Sequence, residues 1–267
     1  MGGSRMVTRR AGAVLGAASF LMITGTAAGF SGVAFAATYE GAPVAVGKGT
    51  ARVVVTTDGS GAPESVAVKL SGHALDELPA DLNKETSEGQ WEFLLPMPAD
   101  GPQTGYRNVS MDWNPQGHPP PDVYTVPHFD FHFYVMDAAD VAKITFTGAT
   151  DPAIGVSDKG LIASDYQVIP DTRVDQMGVH AIDMTSQEFH GKPFTATFIY
   201  GYYKGKLIFV EPMVTRAFLQ SKPDAAFPVK TPAHYSTAGY YPESYDVRYD
   251  AGQDVYFVEL GKLKQRE

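Results

Sequence analysis

The sequence predicts a mainly β protein, an antiparallel β-barrel or sandwich with a few short helices. Three observations carry this. Residues 126–135, Val-Pro-His-Phe-Asp-Phe-His-Phe-Tyr-Val, alternate strictly between two kinds of side chain, as a strand with opposite-facing neighbours requires. Residues 194–203 and 206–215 are two β-rich runs joined by Lys204-Gly205, a two-residue hairpin turn with glycine where φ is positive. Elsewhere, short β-branched and aromatic runs are separated by Gly, Pro, Asn and Asp clusters, and long helical periodicity is scarce.

Taken in order, residues 50–57 and 65–70 are strands around the turn cluster Asp58-Gly59-Ser60-Gly61-Ala62-Pro63, a first hairpin. Residues 72–78 form a helical turn stopped by Pro79, and residues 90–95 and 108–113 are strands. Residues 114–121, Asn-Pro-Gln-Gly-His-Pro-Pro-Pro, make a loop stiffened by proline. Asp137 is the expected N-cap of a short helix over 137–144. Residues 145–176 are turn-rich and irregular, with a strand near 165–169, and residues 216–220 form a short helix. The chain returns to β patterning at 245–249 and 254–260.

Arg5, Arg9 and Arg10 precede an apolar stretch over residues 11–30, and Ala34-Phe35-Ala36 is a small-x-small cleavage signature. Residues 1–36 therefore read as a signal peptide and residues 37–267 as one β-rich domain, exported to a periplasmic or extracellular compartment. Thr8-Arg9-Arg10 is an incomplete twin-arginine motif, so a general secretory signal fits better. An uncleaved anchor is the alternative, since the apolar stretch approaches the ~20 residues that span a bilayer. No second apolar run of that length follows, so no stable membrane insertion is expected after cleavage. Removing three arginines and no acids takes the net charge from −9 to −12. That balance argues against nucleic acid or anionic membrane as partner. The chain has no cysteine, so metal ligands must be His, Asp, Glu or main chain.

On the central strand His128, Asp130, His132 and Tyr134 share one face and Phe129, Phe131, Phe133 and Val135 the other. The phenylalanine face reads as core and the polar face as the lining of a site. Metal ligands are expected among His128, Asp130, His132, His180 and Glu211, with His118 held at the mouth by its loop. Zn²⁺, Fe²⁺, Cu²⁺ and Mn²⁺ all accept such donors. His128 and His132, at i and i+4, stand about 13 Å apart on a straight strand and do not share an ion there; either one of them binds with Asp130 or a bulge brings the two together. The turn at Lys204-Gly205 places Tyr203 opposite Lys206, Tyr200 opposite Phe209 and Phe198 opposite Glu211. That puts Glu211 on an aromatic face, where an acid needs a cation, a metal or a raised pKa. Tyr134 and Glu211 are candidate proton donor and base. His73, His190 and His234 read as surface residues. A hydrogen-bonded His-Asp-His network and a metal-free small-molecule pocket lined by Tyr134, Tyr200 and the histidines stand as alternatives.

Two blocks resemble a known family. Gly117-His118-Pro119-Pro120 running into residues 126–134 is one. Met177-Gly178-Val179-His180, Pro193-Phe194-Thr195, residues 197–201 and Glu211-Pro212-Met213 make the other. Together they are similar to exported bacterial proteins of unknown function, the DUF5602 or TTHB-like domain. The resemblance implies a β-rich fold and a homo-oligomer, and it supplies no activity.

Overall fold

A computed structural model describes residues 35–267. The expected signal peptide, apart from its last two residues, lies outside the described residues. Among the described residues no helix is long and apolar enough to cross a membrane.

Strands β1 (Thr38–Glu40), β2 (Val44–Val46), β3 (Gly49–Thr57) and β4 (Pro63–Ser71) open the chain. The next seven are β5 (Trp91–Leu95), β6 (Asn108–Asn114), β7 (His128–Tyr134), β8 (Tyr166–Val168), β9 (Val179–Asp183), β10 (Ala196–Tyr203) and β11 (Lys206–Thr215). Then come β12 (Asp224–Pro228), β13 (Gly239–Tyr241), β14 (Ser244–Asp250), β15 (Val255–Gly261) and β16 (Lys264–Arg266). The only α-helices among the described residues are α1 (Ala138–Val141) and α2 (Arg216–Gln220). The first sheet has the order β1-β3-β4-β15-β14-β12, with β2 also along β3, and the second has the order β5-β6-β7-β11-β10-β9-β8. All pairs are antiparallel, and the two sheets form a sandwich rather than a closed barrel.

The core lies between the sheets. Val53, Val55, Val66, Val68, Leu70, Val258 and Leu260 come from one inner face, and Met111, Phe129, Phe131, Phe133, Phe198 and Val210 from the other. The three phenylalanines of β7 have no exposed surface, and burying each stabilises the fold by roughly 1.5–3 kcal/mol. The polar residues of β7 therefore point away from the sandwich core, onto the far face of the second sheet. That face is not left to solvent. Two smaller apolar clusters roof it: Tyr124, Ile182, Phe194, Ile199 and Met213 in one, Tyr134, Val141, Ile144, Ile208 and Phe209 in the other.

The hairpin β10–β11 corrects one expectation. Lys204 and Gly205 both have positive φ, 50° and 73°, and Tyr203 faces Lys206 as expected. A bulge between Gly201 and Tyr202 then shifts the register, so Gly201 faces Phe209, Tyr200 faces Val210 and Ile199 faces Glu211. Because side chains alternate with period two, one inserted residue moves Glu211 from the face of Phe198 and Tyr200 to the opposite one. Phe209 lies across Gly201, where a Cβ would stand 2.0 Å from the ring's Cε1.

Other differences are smaller. Asp137 occupies the N-cap of α1, but its side chain makes no capping hydrogen bond and instead faces Arg107 at 3.9 Å. Strands β1, β2, β9, β12, β13 and β16 escape the sequence reading, four of them pieces of three residues, too short to establish a period.

Candidate metal centre

Four adjacent strands build the site. His128, Asp130 and His132 come from β7, Glu211 from β11 and His180 from β9. Strand β10 lies between β11 and β9, and Gly201 is the residue opposite His180. With no side chain at Gly201, nothing of β10 stands there between His180 and Glu211. The site face also takes Ser110, Asp112 and Asn114 from β6, which pair with His132, Asp130 and His128.

The donors fall into two groups that share no residue: His118, His128 and Asp130, and His132, His180 and Glu211. Within each group one ligand atom per residue lies within 4.8 Å of the others. The expectation that His128 and His132 do not share an ion agrees with this division. In the first group His118 Nε2 lies 3.4 Å from Asp130 Oδ2, and His128 Nε2 lies 3.1 Å from Asp130 Oδ1. In the second, His132 Nε2 and His180 Nε2 lie 3.6 and 3.8 Å from the two oxygens of Glu211. Most of these distances are long for N–H···O hydrogen bonds. They suit two donors on one tetrahedral ion, which at about 2.1 Å from the metal stand about 3.4 Å apart.

Three of the other ring nitrogens are already tied. Nδ1 of His118, His128 and His180 donates to the carbonyls of Pro119, Val126 and Thr172, each at 2.7 Å. His132 Nδ1 faces Asp112 Oδ2 at 3.4 Å. A carbonyl only accepts, so those three rings carry their proton on Nδ1, and a neutral ring then presents a bare Nε2 to the site. Imidazole held from behind by a carbonyl or carboxylate is the arrangement that orients metal-binding histidines. Six buried atoms here have no hydrogen-bond partner: Asp112 Oδ1, His128 Nε2, Asp130 Oδ1, both ring nitrogens of His132, and Glu211 Oε2. Unpartnered buried polar groups are costly, about 1–3 kcal/mol each, and their convergence marks a place built for something besides packing.

Electrostatics separates the groups. Burial pulls His132 down to about 3 and His180 to about 4, so both rings are neutral at pH 7. Burial, reinforced by Asp130 and Asp112, holds the Glu211 carboxyl well above its usual range. Burial also raises Asp112, with Glu92 and Asp130 adding to the shift. In the first group the balance is reversed. Burial opposes the charge on Asp130, but His128 and His118 outweigh it and hold that carboxyl well below its usual range. His118 is lowered by burial yet raised overall by its contact with Asp130.

A cavity of about 260 Å³ lies over the site. Its polar lining includes His118, Asp130, His180 and Glu211, and its apolar walls include Tyr124, Ile169, Val174, Met177, Ile182, Ile199 and Met213. His128 and His132 lie beneath, with 0% and 1% of their side chains exposed. Tyr134 does not line the cavity; its ring stacks on His132 at 5.7 Å between centroids. Tyr200 is turned to the core side, its hydroxyl donating to the Lys230 carbonyl. His73, His190 and His234 are exposed, and His73 and His234 pair with Asp76 and Asp158 at the surface.

Sequence reasoning missed Asp112, Asn114 and Met213. The first two carried a readable signal, because Asn108, Ser110, Asp112 and Asn114 alternate with apolar residues just as β7 does. Asn114 Nδ2 donates to Asp130 Oδ2 at 2.8 Å and so aims that carboxylate. Asp112→Asn is expected to weaken metal binding at His132 about 10–100-fold, the usual effect of removing the group behind a ligating imidazole; competition with a chromogenic chelator measures it. No family model, curated protein or solved structure matches the chain, and a function for it therefore rests on its own residues.

Proposed function

We propose that this is an exported metalloprotein that holds a divalent ion between His132, His180 and Glu211 and acts on a small molecule bound in the adjoining cavity. One observation carries the reading. Three strands aim two imidazole Nε2 atoms and a carboxylate at one point, with no hydrogen bond of good geometry joining them. Two histidines and one carboxylate leave coordination positions open, and this donor set suits Zn²⁺ or Fe²⁺. Bound there, such an ion supplies Lewis-acid polarisation or an activated water. The chain's own residues do the rest. His180 and Glu211 face the cavity, Thr172 fixes the His180 ring, and Met177, Met213, Ile182 and Ile199 exclude bulk water. Such walls suit a small, largely apolar molecule that undergoes hydrolysis, isomerisation or oxygenation. The homo-oligomer implied by the resemblance belongs to the same proposal, and analytical ultracentrifugation measures it.

Elemental analysis of tag-free mature protein tests the reading. Near-stoichiometric metal, reduced in His180→Ala while circular dichroism is unchanged, supports it. No metal after dialysis against Zn²⁺, Fe²⁺, Cu²⁺ and Mn²⁺ would sink it, and the cluster would then be a structural network.

Metal affinity is expected to rise with pH. The Glu211 carboxyl of the empty site is held well above its usual range, so an entering cation displaces a proton until that group ionises by itself. Calorimetric titration in buffers of different ionisation enthalpy should show proton release on binding that shrinks as pH rises. Heats that do not depend on the buffer contradict this.

A further inference from the structure

We propose that His118, His128 and Asp130 form a second cation site, separate from the deep one, and that filling it pins loop 117–126 across the cavity mouth. The loop's role at the cavity rests on the functional reading above; the second site stands on its own geometry.

Two fully or nearly buried donors come from β7. His128 Nε2 and Asp130 Oδ1 lie 3.1 Å apart and neither has a hydrogen-bond partner. Asp130 is further oriented by Asn114, and both imidazoles are fixed from behind by main-chain carbonyls. Two imidazole Nε2 atoms and a carboxylate thus converge from oriented side chains, as a preorganised N₂O cation site requires. This is not the deep site seen twice. The two groups share no residue, and His128 is about 13 Å from His132 along the strand.

The third donor sets this site apart. His118 keeps 24% of its side chain exposed and comes from a loop rather than a strand. Gly117 starts that loop at φ +70°, where a Cβ would stand 2.1 Å from the Tyr124 carbonyl. Past Gly117, whose N–H donates to the Asn114 carbonyl of β6, the loop's main-chain bonds are internal, from His118 N to Tyr124 O and from Val123 and Tyr124 N to Pro120 O. Its outer end is fixed by Tyr124, whose ring packs on Phe194 and whose hydroxyl donates to Glu188. The inner end meets the sheet through His118 against Asp130 and His128. Pro119, Pro120 and Tyr124 of this loop are cavity walls. An ion shared by His118 and β7 therefore clamps that wall in place.

The test is Zn²⁺ titration of the mature protein, read by bound zinc after desalting and by amide hydrogen exchange in loop 117–126. Wild type should bind two equivalents, with exchange in the loop slowed at least about tenfold. His118→Ala, a change on a partly exposed loop, should bind one and show no slowing. His180→Ala should keep one equivalent and the slowing. A single ion lost in His118→Ala and kept in His180→Ala would support this site and overturn the deep one. A single ion lost in His180→Ala and kept in His118→Ala overturns it, as do two ions in His118→Ala or a loop whose exchange zinc leaves unchanged. No bound zinc in wild type overturns both sites.

Discussion

Glu211→Gln is expected to weaken metal binding at the deep group at least about 100-fold while making the metal-free protein more stable at neutral pH. The loss follows from removing one of three protein ligands, which should exceed the 10–100-fold effect of losing a group behind a ligand. The gain follows from burial. Glu211 is 2% exposed, and burial, with Asp130 and Asp112 nearby, raises its carboxyl pKa well above the ordinary glutamate value of 4.5. Below that ordinary value the group is protonated in both the folded and unfolded chains and makes no difference to pH dependence. As pH rises, the unfolded chain releases the proton first, so the wild type loses stability until pH passes through the folded pKa. Glutamine has the same shape and no proton to lose. The gap between variant and wild type should therefore widen from pH 5 to pH 8, reaching about 1 kcal/mol or more, or about 2–4 °C in Tm for a domain of this size. Thermal melts of chelator-treated protein measure it. A variant less stable than wild type at every pH would instead identify Glu211 as a satisfied member of a structural network.

Gly201→Ala should destabilise the protein by about 1–3 kcal/mol, the range for overfilling a packed site, and reduce metal affinity as well. A methyl at position 201 would stand 2.0 and 2.1 Å from Cε1 and Cζ of Phe209. The ring has little room to yield. It packs on His132 at 4.9 Å, on Tyr134 at 5.1 Å and on His180 at 5.4 Å between centroids. Displacing it removes the wedge between two ligating imidazoles, with an expected affinity loss of about 10–100-fold, as for other groups that position a ligand. Phe209→Leu in the same chain removes the clash and should recover part of the stability, a non-additive coupling that a double-mutant cycle measures. A Gly201→Ala protein within about 0.5 kcal/mol of wild type and with unaltered zinc affinity would show that the bulge does not need glycine there.

Local pattern made much of this protein legible. The alternation in β7 separated core phenylalanines from site histidines, because a strand turns successive side chains to opposite faces regardless of its surroundings. The turn at Lys204-Gly205 was legible for the same reason, since few residues tolerate two successive positive φ values. The exposed histidines at 73, 190 and 234 lay outside any apolar alternation, and the structure leaves them at the surface. What failed was reasoning that carried a register across distance. From the turn alone Glu211 counts onto the face of Phe198, and one bulged residue reverses that.

Strand content and the choice of most candidate donors could be read from the sequence by itself, since both depend on contacts between neighbours in the chain. Only the tertiary structure decided between barrel and sandwich, because closure depends on how distant strands meet. It also divided the donors into two groups and placed His180 on the far side of Gly201. Asp112 and Asn114 were set behind them, and the far face of the second sheet was roofed. Each of these arrangements depends on packing between segments that are distant in the chain, which local preference does not encode.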